Sequence, residues 1–289
     1  MQLVKPSVEY IPQEDGLEGV NRQIERCGRI CYKSEGKMTD TSAHDFVARM
    51  IKSGHTAMLE HGAIYLIMKV DHGSEEYNIF EERYAHNPYS RFVLEGGIAY
   101  VTTNYRVLIE NDWLDDLMFA FNPTEHHKKR FTMKLICDRG ISHELVRHRV
   151  FSFAQESQRY CNYSKDRFNR GITFIIPSWC DERSLSIIDE IPTIDTEKAS
   201  AEFILWVNYL LRAEKAYLGL IGDGWLPQQA RSVLPNATKT EIIMTGFEDD
   251  WKHFFDLRLR GVTGMPHPDM QLLAQLAWNE FKDKLNLEL

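Results

Sequence analysis

Residues 143–160 are the most polar and most specific stretch of the chain, and they constrain its fold more than any other segment. They read HELVRHRVFSFAQESQRY, with three arginines, two histidines, two glutamates, two glutamines and two serines in eighteen residues. Arg147-His148-Arg149 lies at their centre, and Ser157 follows after seven residues. Guanidinium groups this close repel one another unless anions or acidic groups lie among them, and each matches phosphate oxygens in a bidentate manner. The stretch therefore predicts a binding site for phosphorylated ligands.

Two other interpretations of this stretch are open from the residues alone. One is a solvated helix face on which Glu144 pairs with His148 four residues later. The other is a metal site, because His143-Glu144 and His148 look like a zinc-protease motif. That motif needs two histidines four residues apart on one helix face, whereas a spacing of five rotates a helix by roughly 140°. The spacing therefore argues against a metal site here.

Length and charge narrow the class of protein. The chain has 289 residues, of which 43% are hydrophobic, which is enough for one domain or for a domain with an insertion. Its formal net charge of −8 argues against a general nucleic-acid binder, because such proteins usually present a basic face to the backbone phosphates. A local arginine cluster on an acidic protein instead indicates a small anionic ligand.

The cysteines and the apolar runs bear on the cellular compartment. The five cysteines contain no CxxC pair, so we expect reduced thiols in a cytoplasmic protein; they are Cys27, Cys31, Cys137, Cys161 and Cys180. No apolar run reaches the roughly 18 residues that span a bilayer, and the first residues lack the apolar centre of a signal peptide. We therefore expect a cytoplasmic protein without a membrane partner.

Periodicity and turn residues predict alternating helices and strands. Residues 71–130 carry acidic, aromatic and turn-forming material and look like an insertion. We expect strands near residues 3–4 and at 63–70, 98–103, 105–110, 130–138, 172–176 and 238–246. We expect helices at 20–31, from the cap at 41–42 to Gly54, at 112–121, from an N-cap at Ser142, at 196–222, from Pro227, at 249–260 and at 269–285.

Four separated elements resemble one family. Arg-His-Arg, seven residues and then Ser is the signature of flavin-dependent thymidylate synthases, the ThyX family, and the Ser157 to Tyr160 ending, SQRY, is similar too. Residues 53–61, SGHTAMLEH, are similar to the family's G-H-x-x-x-x-E-H element. Arg231 before VLP is similar to its A-R-x-x-L-P element, and Arg258 ends a match to its F-x-x-R segment. The elements occur in the family's order.

The resemblance implies a reaction and its cofactors. It implies the reductive methylation of dUMP to dTMP, with 5,10-methylenetetrahydrofolate as the carbon donor and NADPH as the reductant through FAD. It also implies a homotetramer with shared active sites and a single catalytic domain over residues 1–289, with a family-variable insertion at about 71–130. The expected fold class is α+β, with a mixed, mainly antiparallel sheet flanked by helices. No Gly-rich dinucleotide fingerprint is present, so we do not expect a Rossmann unit to hold the flavin.

The resemblance also assigns roles to residues. Arg258 is the expected catalytic residue, which activates the pyrimidine, and no metal is expected. Ala57 stands where relatives often carry a hydroxyl, and Phe247 where they commonly carry an asparagine. The expected dUMP contacts are Glu144, Arg147, Gln155, Glu156, Ser157, Gln158, Arg159, Arg231 and Arg258. The expected FAD contacts are His55, Thr56, Ala57, Arg147, His148, Arg149, Gln155, His253 and His267.

Two other classes of protein remain as alternatives. A metal-dependent hydrolase would use the histidines at 55, 61, 143 and 148. A nucleotide- or RNA-binding module would bind through the same arginines without catalysis, and its affinity for RNA would fall steeply with salt.

Overall fold

The computed structural model describes residues 1–180, 184–188 and 191–285. Its strands are β1 (Gln2–Val4), β2 (Ser7–Tyr10), β3 (Ala63–Lys69), β4 (Arg91–Glu95), β5 (Ile98–Asn104), β6 (Arg130–Asp138), β7 (Ser152–Gln155), β8 (Thr173–Ile175), β9 (Leu185–Ile188), β10 (Ile191–Ile194) and β11 (Lys239–Phe247). Its α-helices are α1 (Gly16–Ile30), α2 (Ser42–Lys52), α3 (Glu75–Ala85), α4 (Tyr105–Glu110), α5 (Arg139–Leu145), α6 (Ala201–Gly222), α7 (Pro227–Ala230), α8 (Glu248–Phe255) and α9 (Pro268–Leu285). Short 3-10 helices cover Glu35–Lys37, Thr56–His61, Leu114–Phe119, Asp166–Phe168 and Arg231–Val233, and a π-helical turn covers Asp256–Arg260.

The larger sheet has the order β2-β6-β11-β7, and all its neighbours are antiparallel. β6 and β11 pair along their full length, from Lys239 opposite Asp138 to Phe247 opposite Arg130. Because side chains alternate across a strand, β11 supplies both faces of the sheet. Ile242 joins the core formed with α8 and α9, while Ile243 faces α1. Both faces are thus covered, which explains why β11 is buried over nearly its whole length.

A second sheet has the order β3-β5-β4 and is also antiparallel. Its core forms with α1, α2 and α3, and includes Ile24, Phe46, Leu66, Phe80 and Val101. β1 and β8 form a parallel pair beside α6, and β9 and β10 form an antiparallel pair. The mixed, mainly antiparallel arrangement with flanking helices confirms the expected fold class.

Among the described residues, no helix combines the length and apolar content that crossing a bilayer requires.

Three predictions about secondary structure were wrong. Residues 105–110 form helix α4 rather than a strand, because the Asn104 side chain accepts a hydrogen bond from the Val107 N–H (3.2 Å) and caps a helix there. Residues 112–121 contain only the 3-10 helix named above. The central helix begins at Arg139 rather than after Ser142, because the Asp138 carboxylate accepts from the Ile141 N–H (2.7 Å). Ser142 lies inside this helix, and its hydroxyl donates to the Arg139 carbonyl (2.9 Å).

Candidate active site

The Arg-His-Arg motif lies in the turn between α5 and β7. α5 ends at Leu145, so residues 147–149 follow the helix rather than continue it. The side chains of Arg147 and Arg149 are exposed, and in the described part of the chain neither makes a hydrogen bond or an ion pair. The structure therefore leaves two cations open to solvent, which is the state that an anionic ligand requires.

The side chain of His148 turns inward and meets Arg258 from the π-helical turn. The Arg258 Nε donates to the His148 Nε2 (3.0 Å), and the Arg258 Nη1 donates to the Glu144 carboxylate (2.9 Å). α5 and the turn after it thus bring Glu144 and His148 to Arg258, which lies 114 and 110 positions further along the chain. We refer to Glu144, His148 and Arg258 as the arginine triad.

The arginine triad holds His148 neutral. Burial, followed by the nearby charges of Arg258 and His253, lowers the pKa of His148 to about 4. Because the Nε2 accepts from Arg258, the ring proton resides on Nδ1. His253 itself lies on the exposed side of α8, and the His148 ring packs against Phe254 at 5.2 Å. At neutral pH His148 is therefore uncharged, and Arg258 is the cation of this hydrogen-bonded pair.

A second polar group joins β7 to α5 and β11. The Gln155 Nε2 donates to the hydroxyls of Ser142 (2.9 Å) and Thr240 (3.2 Å). Arg139 donates to the same Thr240 hydroxyl (3.2 Å) and to the Glu156 carbonyl (3.4 Å). The predictions from sequence missed Arg139 and Thr240. These contacts fix the backbone that leads from Gln155 into Ser157.

Glu156 lies beneath this motif and is 3% exposed. Its carboxylate accepts from the Tyr163 hydroxyl (2.9 Å) and from Lys239 (3.2 Å). Lys239 also bonds the carboxylate of Glu241, which accepts from Lys33 as well (2.8 Å). Although burial raises the pKa of Glu241, the two ammonium groups offset that effect and hold it at about 2. The structure thus places Glu156 in a buried charge network with Lys239 and Tyr163.

The sequence contained a signal for part of this network. Lys239 and Glu241 lie two residues apart at the start of an otherwise apolar strand, so they share one face. Charged residues at such a place are expected to be paired, because burying a lone charge is costly. The partner of the pair was not readable, because Glu156 lies 83 residues from Lys239.

The loop after β7 borders an open cavity of about 840 Å³. The Ser157 hydroxyl accepts from the Arg159 N–H (3.3 Å), Gln158 is half-buried, and the exposed Arg159 lies 5.4 Å from the ring of Tyr160. The Tyr160 ring contacts that of Tyr32 at 5.2 Å. The cavity is lined by Arg29, Tyr32, Ser34, Lys37, Phe46, Arg49, Met50, Lys52, Ser53, His55, Tyr160 and Arg167.

This cavity is cationic and aromatic. Its lining includes five arginines and lysines but no carboxylate. Of these five cations, only Arg29 forms an ion pair with a carboxylate of the described residues, that of Glu25 at 2.5 Å. Its volume falls in the usual range for small-molecule sites. The cavity is therefore suited to a planar ligand that carries several negative charges.

The second predicted element, residues 55–61, forms a 3-10 helix that leads into β3. His55 and Ala57 are exposed, and the Thr56 hydroxyl donates to Glu110 (2.7 Å). His61 is fully buried, and its Nδ1 lies 2.7 Å from the Thr245 hydroxyl. Burial and the charge of Arg130 lower the pKa of His61 to about 3. His61 is thus a neutral core residue, whereas His55 is available at the cavity.

Three further predicted positions lie on other elements. Arg231 is exposed at the start of a 3-10 helix, and its side chain makes no hydrogen bond or ion pair with the described residues. His267 is exposed before α9, where its Nδ1 accepts from the Asp269 N–H (3.3 Å). Phe247 is buried and lies under the guanidinium groups of Arg91 (4.2 Å) and Arg130 (5.4 Å).

Histidine and cysteine side chains are the remaining groups that could bind a metal or act as nucleophiles. Within residues 1–180, 184–188 and 191–285, no group of three or more His, Cys, Asp or Glu side chains could hold a metal ion. The four histidines of the hydrolase alternative therefore do not form a common site there. The five cysteines are free thiols, and burial raises the pKa of Cys27, Cys31, Cys137 and Cys161.

Known proteins with similar sequences share one description. The flavin-dependent thymidylate synthase of Geobacter sulfurreducens is 37% identical over 134 residues, which are 46% of this chain and 49% of that protein. The flavin-dependent thymidylate synthase of Mycobacterium avium is 32% identical over 142 residues, 48% of this chain and 52% of that protein. The chain thus spans about half the length of the curated relatives it matches.

A solved structure and a family model complete the comparison. The crystal structure of a UMP/dUMP methylase, PolB from Streptomyces cacaoi bound with 5-Br dUMP, aligns over 98% of this chain and 93% of its own, with 15% identity and a TM-score of 0.45. The sequence model of the thymidylate synthase complementing protein family matches residues 103–285, which hold the Arg-His-Arg motif and the whole arginine triad. The chain belongs to the thymidylate synthase complementing protein family.

Proposed function

We propose that this protein is a flavin-dependent thymidylate synthase, which converts dUMP to dTMP in the cytoplasm with 5,10-methylenetetrahydrofolate as carbon donor and NADPH as reductant through FAD. The observation that carries the proposal is the arginine triad beside the two unpaired arginines of the motif. Arg258 is held by Glu144 and the neutral His148, while Arg147 and Arg149 remain open. A phosphorylated pyrimidine needs both a directed guanidinium and free cations.

The residues present fit a flavin. A dinucleotide carries a pyrophosphate, and the exposed guanidinium groups of Arg147 and Arg149 have no internal acid to neutralise them. His55 and Thr56 lie on the loop that the resemblance assigns to the flavin, with His55 at the cavity. When bound, FAD would supply the hydride for the reduction. The role of the chain is to bind and orient its substrates and to keep water from the reacting atoms.

Arg258 is the residue we assign to activation of the pyrimidine. Carbon 5 of uracil becomes nucleophilic when electron density in the ring rises, as it does when the N3 proton leaves. A guanidinium against the N3 edge stabilises that anion, because it stays protonated and presents a planar pair of donors. Glu144 and His148 occupy the Nη1 and Nε of Arg258 and so fix the plane of the group, which leaves its Nη2 edge for the base.

The cationic cavity supports a polyanionic folate. A folate joins a flat heterocycle to a carboxylate-bearing tail, and the cavity offers Tyr32 and Tyr160 beside Lys37, Arg49 and Lys52. Aromatic faces suit the ring, and unpaired cations suit the tail. We assign the cavity to the carbon donor on these grounds.

Assembly into a homotetramer with shared active sites is part of the proposal. Arg231 and His267 are exposed and lie on elements that make no hydrogen bond or ion pair to the arginine triad within the described chain. When subunits associate, a ligand can contact such side chains from one subunit together with the arginine triad of another. The complementation experiment in the Discussion tests this arrangement.

The decisive experiment is a flavin titration followed by turnover. We expect purified protein to be yellow or to take up one FAD per chain, and to form dTMP from dUMP only with both methylenetetrahydrofolate and NADPH. Colourless protein that takes up no added FAD would contradict the proposal. Hydrolytic activity lost on chelation would support the metal alternative, and binding of RNA without turnover, weakening steeply with salt, would support the binding module.

A further inference from the structure

The segment that directly follows the loop at residues 55–61 in the sequence also holds that loop in place. Residues 62–129 begin at Gly62, contribute β3, β4 and β5, and return at Arg130. The chain is bonded to the loop where it returns, since the Arg130 Nη1 donates to the Glu60 carbonyl (2.6 Å), and the Tyr105 N–H holds the first residue of the segment through the Gly62 carbonyl (2.9 Å). We refer to residues 62–129 as the 62–129 segment.

Helix α4 of this segment contacts the loop at two side chains. The Arg106 Nη1 donates to the Glu60 carboxylate (2.5 Å), and the Thr56 hydroxyl donates to the Glu110 carboxylate (2.7 Å). Within α4, the Arg106 Nε donates to the same Glu110 carboxylate (2.9 Å). Arg106 and Glu110 are therefore hydrogen-bonded to each other and to Glu60 and Thr56, which lie near the two ends of the loop.

These contacts change what the loop can present to a ligand. Arg106 offsets the charge of Glu60, and their side chains are only 35% and 28% exposed, so water screens the pair incompletely. An unpaired carboxylate at that place would repel a bound pyrophosphate. The Thr56 hydroxyl has committed its proton to Glu110, so it is left with lone pairs and can accept a hydrogen bond but not donate one.

We propose that Arg106 and Glu110 are positioning residues that fix the loop at residues 55–61 in the form that receives the flavin. This inference rests on the proposed function, because the ligand of the loop is the FAD of that proposal. It gives α4 a role in binding, because the hydrogen bonds of Arg106 and Glu110 described above reach the loop and not the arginine triad. The 62–129 segment then acts on flavin affinity through the loop.

The test compares Arg106→Gln with a matched control in the same segment. The control, Arg83→Gln, breaks the ion pair of Arg83 with the buried Asp116 (2.6 Å) and leaves the loop contacts intact. We expect the dissociation constant for FAD, followed by quenching of flavin fluorescence, to rise about tenfold in Arg106→Gln, as for loss of one partly exposed charge-assisted hydrogen bond. We expect no such rise in Arg83→Gln, partial recovery in Arg106→Lys, and an unchanged kcat at saturating FAD.

A second readout does not depend on flavin. Hydrogen exchange of the amides at residues 56–61 should be faster in Arg106→Gln than in Arg83→Gln, both measured without ligand. Equal exchange in the two variants, or equal FAD affinity in both, would overturn the inference. If the wild-type protein bound no FAD, the proposed function would fail, and the exchange comparison would still decide whether α4 holds the loop.

Discussion

Replacing Arg258 by alanine tests the chemistry assigned to the arginine triad. The change removes two hydrogen bonds, to Glu144 and to His148. The Arg258 and Glu144 side chains are 21% and 29% exposed, so water screens their pair incompletely, and its loss should lower the free energy of unfolding by about 2 kcal/mol, which is less than the roughly 5–15 kcal/mol typical of a folded domain. The variant should therefore fold, and its activity can be interpreted.

The effect on the reaction should be larger than the effect on stability. Removing a preorganised donor from a developing negative charge typically slows a reaction by roughly two to three powers of ten. We expect Arg258→Ala to bind FAD and to have its flavin reduced by NADPH as in the wild type, but to form dTMP that much more slowly. Arg258→Lys should recover little, because an ammonium cannot present a planar pair of donors.

Arg260→Ala is the matched control for this experiment. Arg260 lies in the same π-helical turn and pairs with Asp256 (3.1 Å) at the surface. Its loss should leave dTMP formation near the wild-type rate. Near-normal dTMP formation by folded Arg258→Ala, at saturating dUMP and neutral pH, would show that Arg258 is only a helix-terminating cation and would refute the reasoning.

Three further predictions concern other parts of the molecule. His61 has its pKa lowered to about 3, so the unfolded chain binds its proton more readily and stability should fall as the pH drops from 6.5 towards 3; urea unfolding should show a smaller fall for His61→Gln over this range. Glu241→Gln should cost about 2 kcal/mol of unfolding free energy, because Lys33, Lys134 and Lys239 lose a common anion while Lys33 keeps Glu35 and Lys239 keeps Glu156; an unchanged urea midpoint would disprove this. Mixed inactive variants of Arg147 and of His55 should regain some activity if subunits exchange, whereas a fully active monomer in sedimentation would rule out shared sites.

The central strands β6 and β11 of the larger sheet were predictable from local patterns, whereas β2, β4 and β7 were not predicted. β6 largely alternates polar residues with Phe131, Met133, Leu135 and Cys137, which is the usual sign of a half-buried strand. β11 was predicted from a similar alternation that includes the apolar residues Ile242 to Met244.

Residues 105–110 were misread because Val107, Leu108 and Ile109 suit a strand as well as a helix. The side chain of Asn104 decides between the two by capping the helix. The start at Arg139 was missed for the same kind of reason, since both Asp138 and Ser142 are suitable caps.

The sequence motifs named the residues that we assign to the candidate site, but they did not identify the contacts among those residues. The motif identified Arg258 and His148 separately, whereas their hydrogen bond joins positions 110 residues apart. The contacts of Glu110 with Thr56 and of Lys239 with Glu156 depend in the same way on tertiary packing. Spacing rules describe neighbours on one helix or strand, so they do not identify such pairs.

The bonded ends of the 62–129 segment have a consequence for how the chain can change in length. The larger sheet takes none of its strands from this segment, and Glu60 and Arg130 are held together where it departs and returns. The entropy lost in closing a flexible loop grows only with the logarithm of its length, about 0.6 kcal/mol for each doubling. Insertions at an exposed turn of the segment, such as Gly96-Gly97 between β4 and β5, should therefore cost little and leave the strand order β2-β6-β11-β7 unchanged, whereas loss of β3 or β5 would uncover the core that they share with α1 and α2.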